Sequence, residues 1–227
     1  MDRLENIIGQ AQAHFEVKNA ARDQALARSR ELIRCCARAI RATHRGEYDE
    51  AAELLCTARE ATQRMVHDLA GHPDLYHTGY TQDALKEFAE ASITYALITN
   101  KPLPSPEELD VLPPAYLKGL AEAMGEMRRY VLDVIRHGEI GRCEQILQAM
   151  EDVYSALVTI DYPDALTLGL RRTTDMVRGV LERTRGDLTV AARQEALQRA
   201  LHHFEKRVMP HSDLPPTGQA EAGGGNE

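Results

Sequence analysis

The sequence predicts an all-α chain folded as a single domain, a helical bundle of about seven helices. Three observations predict it. Apolar residues recur at helical spacing along nearly the whole chain, and no stretch alternates in the manner of a half-buried strand. The breaks between periodic segments are short and marked by Gly, Pro or Asn. The 227 residues, 43% hydrophobic and 27% charged, suffice for one hydrophobic core, and neither an internal repeat nor a strong domain boundary divides them.

The first helix runs through AARDQALARSRELIRCCARAIRATH and stops at Arg45-Gly46. The second covers about Tyr48 to Leu69 and ends at Ala70-Gly71-His72-Pro73. The third runs from Thr81, a side chain suited to an N-cap, to Asn100, a residue that tolerates the left-handed turn closing a helix. The Pro-rich link KPLPSPEELDVLPP then separates it from a fourth helix, Pro114 to His137, closed by Gly138. A fifth covers roughly Gly141 to Ile160 and stops before Asp161-Tyr162-Pro163. A sixth spans Asp164 to about Arg185, closed by Gly186, and a seventh starts at Asp187 or Thr189 and reaches Val208. This places an all-α domain over residues 1–208 and a Pro/Gly-rich, disordered tail over 209–227.

Composition excludes several classes. No run of eighteen apolar residues exists, so no transmembrane helix is expected, and the start MDRLENIIGQAQAHF is too polar for a secretory leader. Cys35, Cys36, Cys56 and Cys143 have no Cys-x-x-Cys spacing, which argues against a thiolate metal site or disulfide framework and fits a cytoplasmic location. P-loop, GxSxG and HExxH motifs are absent. The net charge of −8 argues against a generic DNA-coating protein, though not against a locally basic face.

Two helices carry paired acids. In the third, Glu87 and Glu90 share a face and are followed by the uncharged run ASITYALI, which points to an internal helix; its carboxylates either reach solvent at a helix rim, as most Glu pairs do, or are costly unless a cation neutralises them. In the fourth, Glu122 and Glu126 lie on a stripe with Lys118 and Arg129, flanked by Gly119 and Gly125, which leave room for close approach. Lys118–Glu122 and Glu126–Arg129 also have the spacing of a solvated, salt-bridged face. If the two helices meet, four carboxylates converge, and oxygen-only ligation selects Mg²⁺, Mn²⁺ or Ca²⁺. A di-iron bundle needs Glu-x-x-His, and the chain has none. The first helix carries the opposite charge. Arg30, Arg34, Arg38, Arg41 and Arg45 form one stripe, and Arg22 to Arg45 holds seven Arg against Asp23 and Glu31. Such a stripe either tracks phosphates or pairs with acidic helices.

The strings SRELIRCCARAIRATHRGE, GYTQDALKEFAEASITYALIT, PPAYLKGLAEAMGEMRRYVLDVIRHGEI and DYPDALTLGLRRTTDMVRGVLERTRGDLT, in this order, resemble the translin family over residues 15 to 208. The closer likeness is to its TRAX branch and prokaryotic relatives, through the E-x-x-E of KEFAEA and the acidic-glycine motif of GLAEAMGE. The resemblance implies a seven-helix protein in a barrel-like homo-oligomer, commonly an octamer. It implies a Mg²⁺-dependent (or Mn²⁺-dependent) endoribonuclease acting on single-stranded RNA from inside that barrel. Glu87, Glu90, Glu122 and Glu126 would be the catalytic and metal-binding acids, with Arg34, Arg38, Arg41, Arg45 and Arg129 as nucleic-acid contacts. Glu122 stands where TRAX-like proteins usually have Asp, one methylene shorter. The alternative is a non-catalytic, translin-like binder of single-stranded RNA or DNA.

Overall fold

The computed structural model describes residues 1–208. The expected tail, 209–227, lies outside them. Among the described residues there are nine helices and no strand: α1 (Asp2–His44), α2 (Tyr48–Asp68), α3 (Pro73–Tyr76), α4 (Gly79–Ile98), α5 (Pro106–Leu109), α6 (Pro113–Ile135), α7 (Ile140–Val158), α8 (Asp164–Thr167) and α9 (Leu170–Val208). Six are long, and α3, α5 and α8 are single turns in the connections. Among the described residues, no helix is long and apolar enough to cross a membrane.

α4 is the central element, packed against α1, α2 and α6, while α6 also meets α7 and α9. Its uncharged second half explains this. Phe88, Ala89, Ala91, Ile93, Ala96 and Ile98 are all buried, and Phe88 is wholly so. Burying a side chain of that size contributes about 1.5–3 kcal/mol, and the intervening alanines let neighbouring helices close in. The expectation of an internal third helix therefore holds.

The stops are built as the sequence suggests at two places. Gly46 takes φ +75° after α1, with Glu47 N–H donating to Ala42 O at 3.0 Å. Asn100 takes φ 55° after α4, with Lys101 N–H donating to Ala96 O at 2.8 Å. Both are six-to-one closures around a left-handed residue. The Pro-rich link contains α5, held by a reciprocal capping box between Ser105 and Glu108. Tyr116 Oη donates to Pro104 O at 2.7 Å and ties the link to α6.

Several boundaries differ from expectation. α1 begins at Asp2, about five turns before the anticipated start, and residues 2–19 are mostly exposed. Thr81 is not the N-cap of the third helix. Thr78 occupies that position, and Thr81 is buried with its hydroxyl donating to Leu75 O at 3.0 Å. The expected sixth helix starts at Leu170 rather than Asp164, since Asp164–Thr167 form the separate turn α8, and from there the sixth and seventh are one helix, α9, which runs through Gly186 without a break. Val180, Leu181, Thr184 and Leu188 bury one face across the glycine. Arg128 of α6 donates to Thr184 Oγ1 at 3.3 Å and to Asp187 Oδ2 at 2.7 Å, so the residue expected to cap a new helix is held by α6 instead. One glycine costs a helix interior about 1 kcal/mol, less than such packing supplies.

Candidate metal centre and basic face

The site forms where α4 meets α6. Gly119 of α6 lies against the backbone of α4. A Cβ built on it would fall 2.7 Å from Lys86 O and 2.9 Å from Glu90 N. That contact brings Glu122 opposite Glu87 and Glu90, and one carboxylate oxygen from each of the three lies within 4.8 Å of the others. Gly125, also read as a point of close approach, faces open space.

The three acids are not equivalent. Glu90 is 9% exposed. Burial, then the charges of Glu87 and Glu122, push its carboxyl up to about 8, with Lys86 opposing. Lys86 lies between the other two. Its ammonium donates to Glu87 Oε1 at 2.8 Å and to Glu122 Oε2. Burial works against that charge, but the bonds to Glu122 and Glu87 outweigh it and raise the ammonium above its ordinary range. The anticipated Lys118–Glu122 pair does not form, because Glu122 turns to α4.

Glu126 stands apart from this group. It accepts from His44 Nε2, in the last turn of α1, at 2.5 Å, and Arg129 Nη1 approaches it at 3.6 Å. The His44 hydrogen bond, with Arg129's charge adding, holds the Glu126 carboxyl below the usual range against the opposing effect of burial. Its charge still reaches Glu90. The structure thus joins Glu87, Glu90 and Glu122, and places Glu126 beside them, tied to α1.

Arg30, Arg34, Arg38 and Arg41 are exposed along one side of α1, and no ion pair engages them among the described residues. Arg45 pairs with Glu47 and, at 3.7 Å, with Glu50. The stripe does not serve to neutralise acidic helices within the chain, Arg45 excepted. Its end flanks His44, so the basic face and Glu126 meet at the same turn.

No family model matches the chain. An uncharacterized protein of Methanocaldococcus jannaschii is 34% identical over 190 residues, 83% of this chain and 82% of that protein. The solved structure of AfC3PO in complex with duplex RNA matches with a TM-score of 0.77 and 32% identity, over 82% of this chain and 96% of that one. AfC3PO alone matches with a TM-score of 0.76, also at 32% identity. The chain belongs to the C3PO/translin family. Apo-NeC3PO, at 21% identity and a TM-score of 0.74, shares the fold.

In this translin-family chain the donor set fits a hard divalent cation. It is all oxygen, comes from two rigid helices, and includes one buried carboxylate that favours being neutralised. Two residues of the site were missed by sequence reasoning. Lys86 had a readable signal, being the sole basic residue in the α4 sequence. His44 had none, since a histidine in a last helical turn reads as a solvated end. Yet its side chain is 4% exposed, and its Nδ1 has no hydrogen-bond partner.

Proposed function

We propose that this protein is a divalent-metal-dependent endoribonuclease of the TRAX-like branch, acting on single-stranded RNA inside a cytoplasmic homo-oligomer, an octamer as the family resemblance implies. The observation that carries this reading is the convergence of Glu87, Glu90 and Glu122 across the α4–α6 contact. These three would hold Mg²⁺ or Mn²⁺, which when bound polarises the scissile phosphate and stabilises the charge that develops on it. The other groups act from the protein. Glu126, kept ionised by His44 and Arg129, offers a carboxylate that accepts a proton from the attacking nucleophile. His44 orients that carboxylate from α1. The exposed arginines supply phosphate contacts at a helix that ends beside Glu126.

Incubating the purified protein with labelled single-stranded RNA, with Mg²⁺ or Mn²⁺ and with chelator, tests the reading. Duplex RNA belongs in the same assay because AfC3PO is solved with it. Metal-dependent internal cleavage of the single strand is expected. Absence of cleavage with either metal overturns the enzyme reading.

A specific observation favours the second reading, a non-catalytic binder of single-stranded RNA or DNA. Lys86 already engages Glu122, the acid one methylene longer than the Asp usual in TRAX-like proteins. A wild type that binds RNA without cutting it, and gains cleavage on Glu122→Asp, decides for that reading.

Arg34→Glu with Arg38→Glu is expected to weaken RNA binding by about 10- to 100-fold and to lower the salt slope by about 2 or more, since each arginine contacting phosphate adds roughly one unit. Metal binding should be unchanged. Filter binding across a salt series reads both, and an unchanged slope removes the stripe from the RNA path.

Assembly has its own support. Leu4, Ile8 and Phe15 of α1, and Leu197, Leu201 and Phe204 of α9, are exposed at helical spacing. Closed homo-oligomers cover surface of this kind. Leu201→Glu with Phe204→Glu is expected to reduce the particle to a smaller species by light scattering. A wild type that already runs as a 25.3 kDa monomer sinks the oligomer.

A further inference from the structure

We propose that Lys86 is an exchangeable counter-ion. Its ammonium offsets the charge of Glu87 and Glu122 in the metal-free protein and moves into an adjoining cavity when a divalent cation takes the oxygens of the cluster. This rests on the reading of the cluster as the metal site and names a residue that controls its loading.

Glu87, Glu90 and Glu122 bring three carboxylates to one point, with Glu90 buried. Unneutralised, they repel across a contact that Gly119 allows to be close. Lys86 meets that need. Its side chain is 12% exposed, and its Nζ donates to Glu87 Oε1 at 2.8 Å and to Glu122 Oε2. These are oxygens of two of the three acids that would ligate a metal. An ammonium and a divalent ion cannot share that point, so loading requires Lys86 to leave.

The chain provides a place for it to go. Lys86 also lines a cavity of about 310 Å³, together with Gln82, Asp83, Ala115, Lys118 and Leu168. A lysine's charge is carried on a flexible four-carbon stem and is readily re-aimed. Asp83, three residues earlier on α4, offers the carboxylate that the moved ammonium needs.

Calorimetric titration of Mn²⁺ into the full chain tests this with wild type and Lys86→Gln. Expected are Mn²⁺ binding on the order of 10-fold tighter in the variant, the scale on which residues surrounding a metal alter affinity, and a lower unfolding midpoint of the variant without metal. Equal or weaker Mn²⁺ binding by Lys86→Gln overturns the exchange. A second measurement needs no variant. Acylation of lysines in the wild type, followed by peptide mass spectrometry, should show Lys86 modified several-fold faster with Mn²⁺ while the exposed Lys206 is unchanged. A Lys86 rate that does not respond to bound Mn²⁺ also overturns it. The two levels of failure separate. A wild type and variant that both bind no Mn²⁺ fail the metal-site reading, whereas a wild type that binds Mn²⁺ and cleaves RNA, with a variant no tighter, fails only the exchange.

Discussion

Glu90→Gln should lose RNA cleavage by on the order of 10³-fold, with little change in fold. A metal ion contributes several kcal/mol of transition-state charge stabilisation, and each 1.36 kcal/mol is tenfold in rate. Gln matches the shape of Glu but cannot ionise, so the variant keeps the buried packing and removes one of the three converging carboxylates. A pH signature separates this loss from a packing defect. Burial foremost, with Glu87 and Glu122 adding, raises Glu90 to about 8, so the metal-free folded protein holds a proton there at neutral pH. The folded value exceeds the unfolded one. Glu90 therefore contributes stability that is fully present below about pH 4.5 and is lost as pH rises through about 8. Divalent binding must displace the same proton, so Mn²⁺ affinity should climb with pH up to about 8 and then level. Calorimetric titrations across that range should find the climb in wild type and not in Glu90→Gln. A Glu90→Gln protein that cleaves as fast as wild type removes Glu90 from the site.

The fold and the site were legible in the sequence to different depths, for physical reasons. α4 could be read as internal because ASITYALI leaves no polar face to give to water, and it is buried as that composition demands. Gly46 and Asn100 could be read as stops because left-handed closures favour those two residue types. Gly186 has the same composition signal and does not stop α9. What decides there is Arg128, 59 residues away from Asp187 in sequence, and no local pattern contains that partner. The start of α1 was hidden for a different reason. Residues 2–19 form a helix with few partners in the chain, so core-facing periodicity, the signal used to find the others, is weak there. At the site, same-helix spacing identified Glu87 with Glu90 and Glu122 with Glu126 as pairs. It could not tell that the second pair would divide, Glu122 turning to Lys86 and Glu126 to His44. Both of those contacts cross between helices, and only the packed fold sets them.

The close approach behind the first of these contacts is at Gly119, and Gly119→Ala is expected to destabilise the protein although alanine is the better helix former. Helix propensity alone would favour the change by about 1 kcal/mol. Against it, the added Cβ falls 2.7 Å from Lys86 O, 2.9 Å from Glu90 N and 2.9 Å from Ala89 Cβ. The first two are the acceptor and donor of one turn of the α4 backbone, and neither can move as a flexible side chain does. Overpacking of this sort costs about 1–3 kcal/mol and more where backbone is struck, so the steric term wins. A net loss of about 2 kcal/mol corresponds to a fall in unfolding midpoint of about 4–8 °C for a domain of this size. Gly119→Val, with two further methyl groups against the same backbone, should fall further. The consequence at the site is a shift of Glu122 on α6 away from Glu87 and Glu90 on α4, so Mn²⁺ affinity should drop in Gly119→Ala even at temperatures where the protein is fully folded. Thermal unfolding and calorimetric titration measure the two effects separately. A Gly119→Ala protein as stable as wild type would show that α4 and α6 have slack at this level, and the cluster would then owe its geometry to something other than the close approach of the two helices.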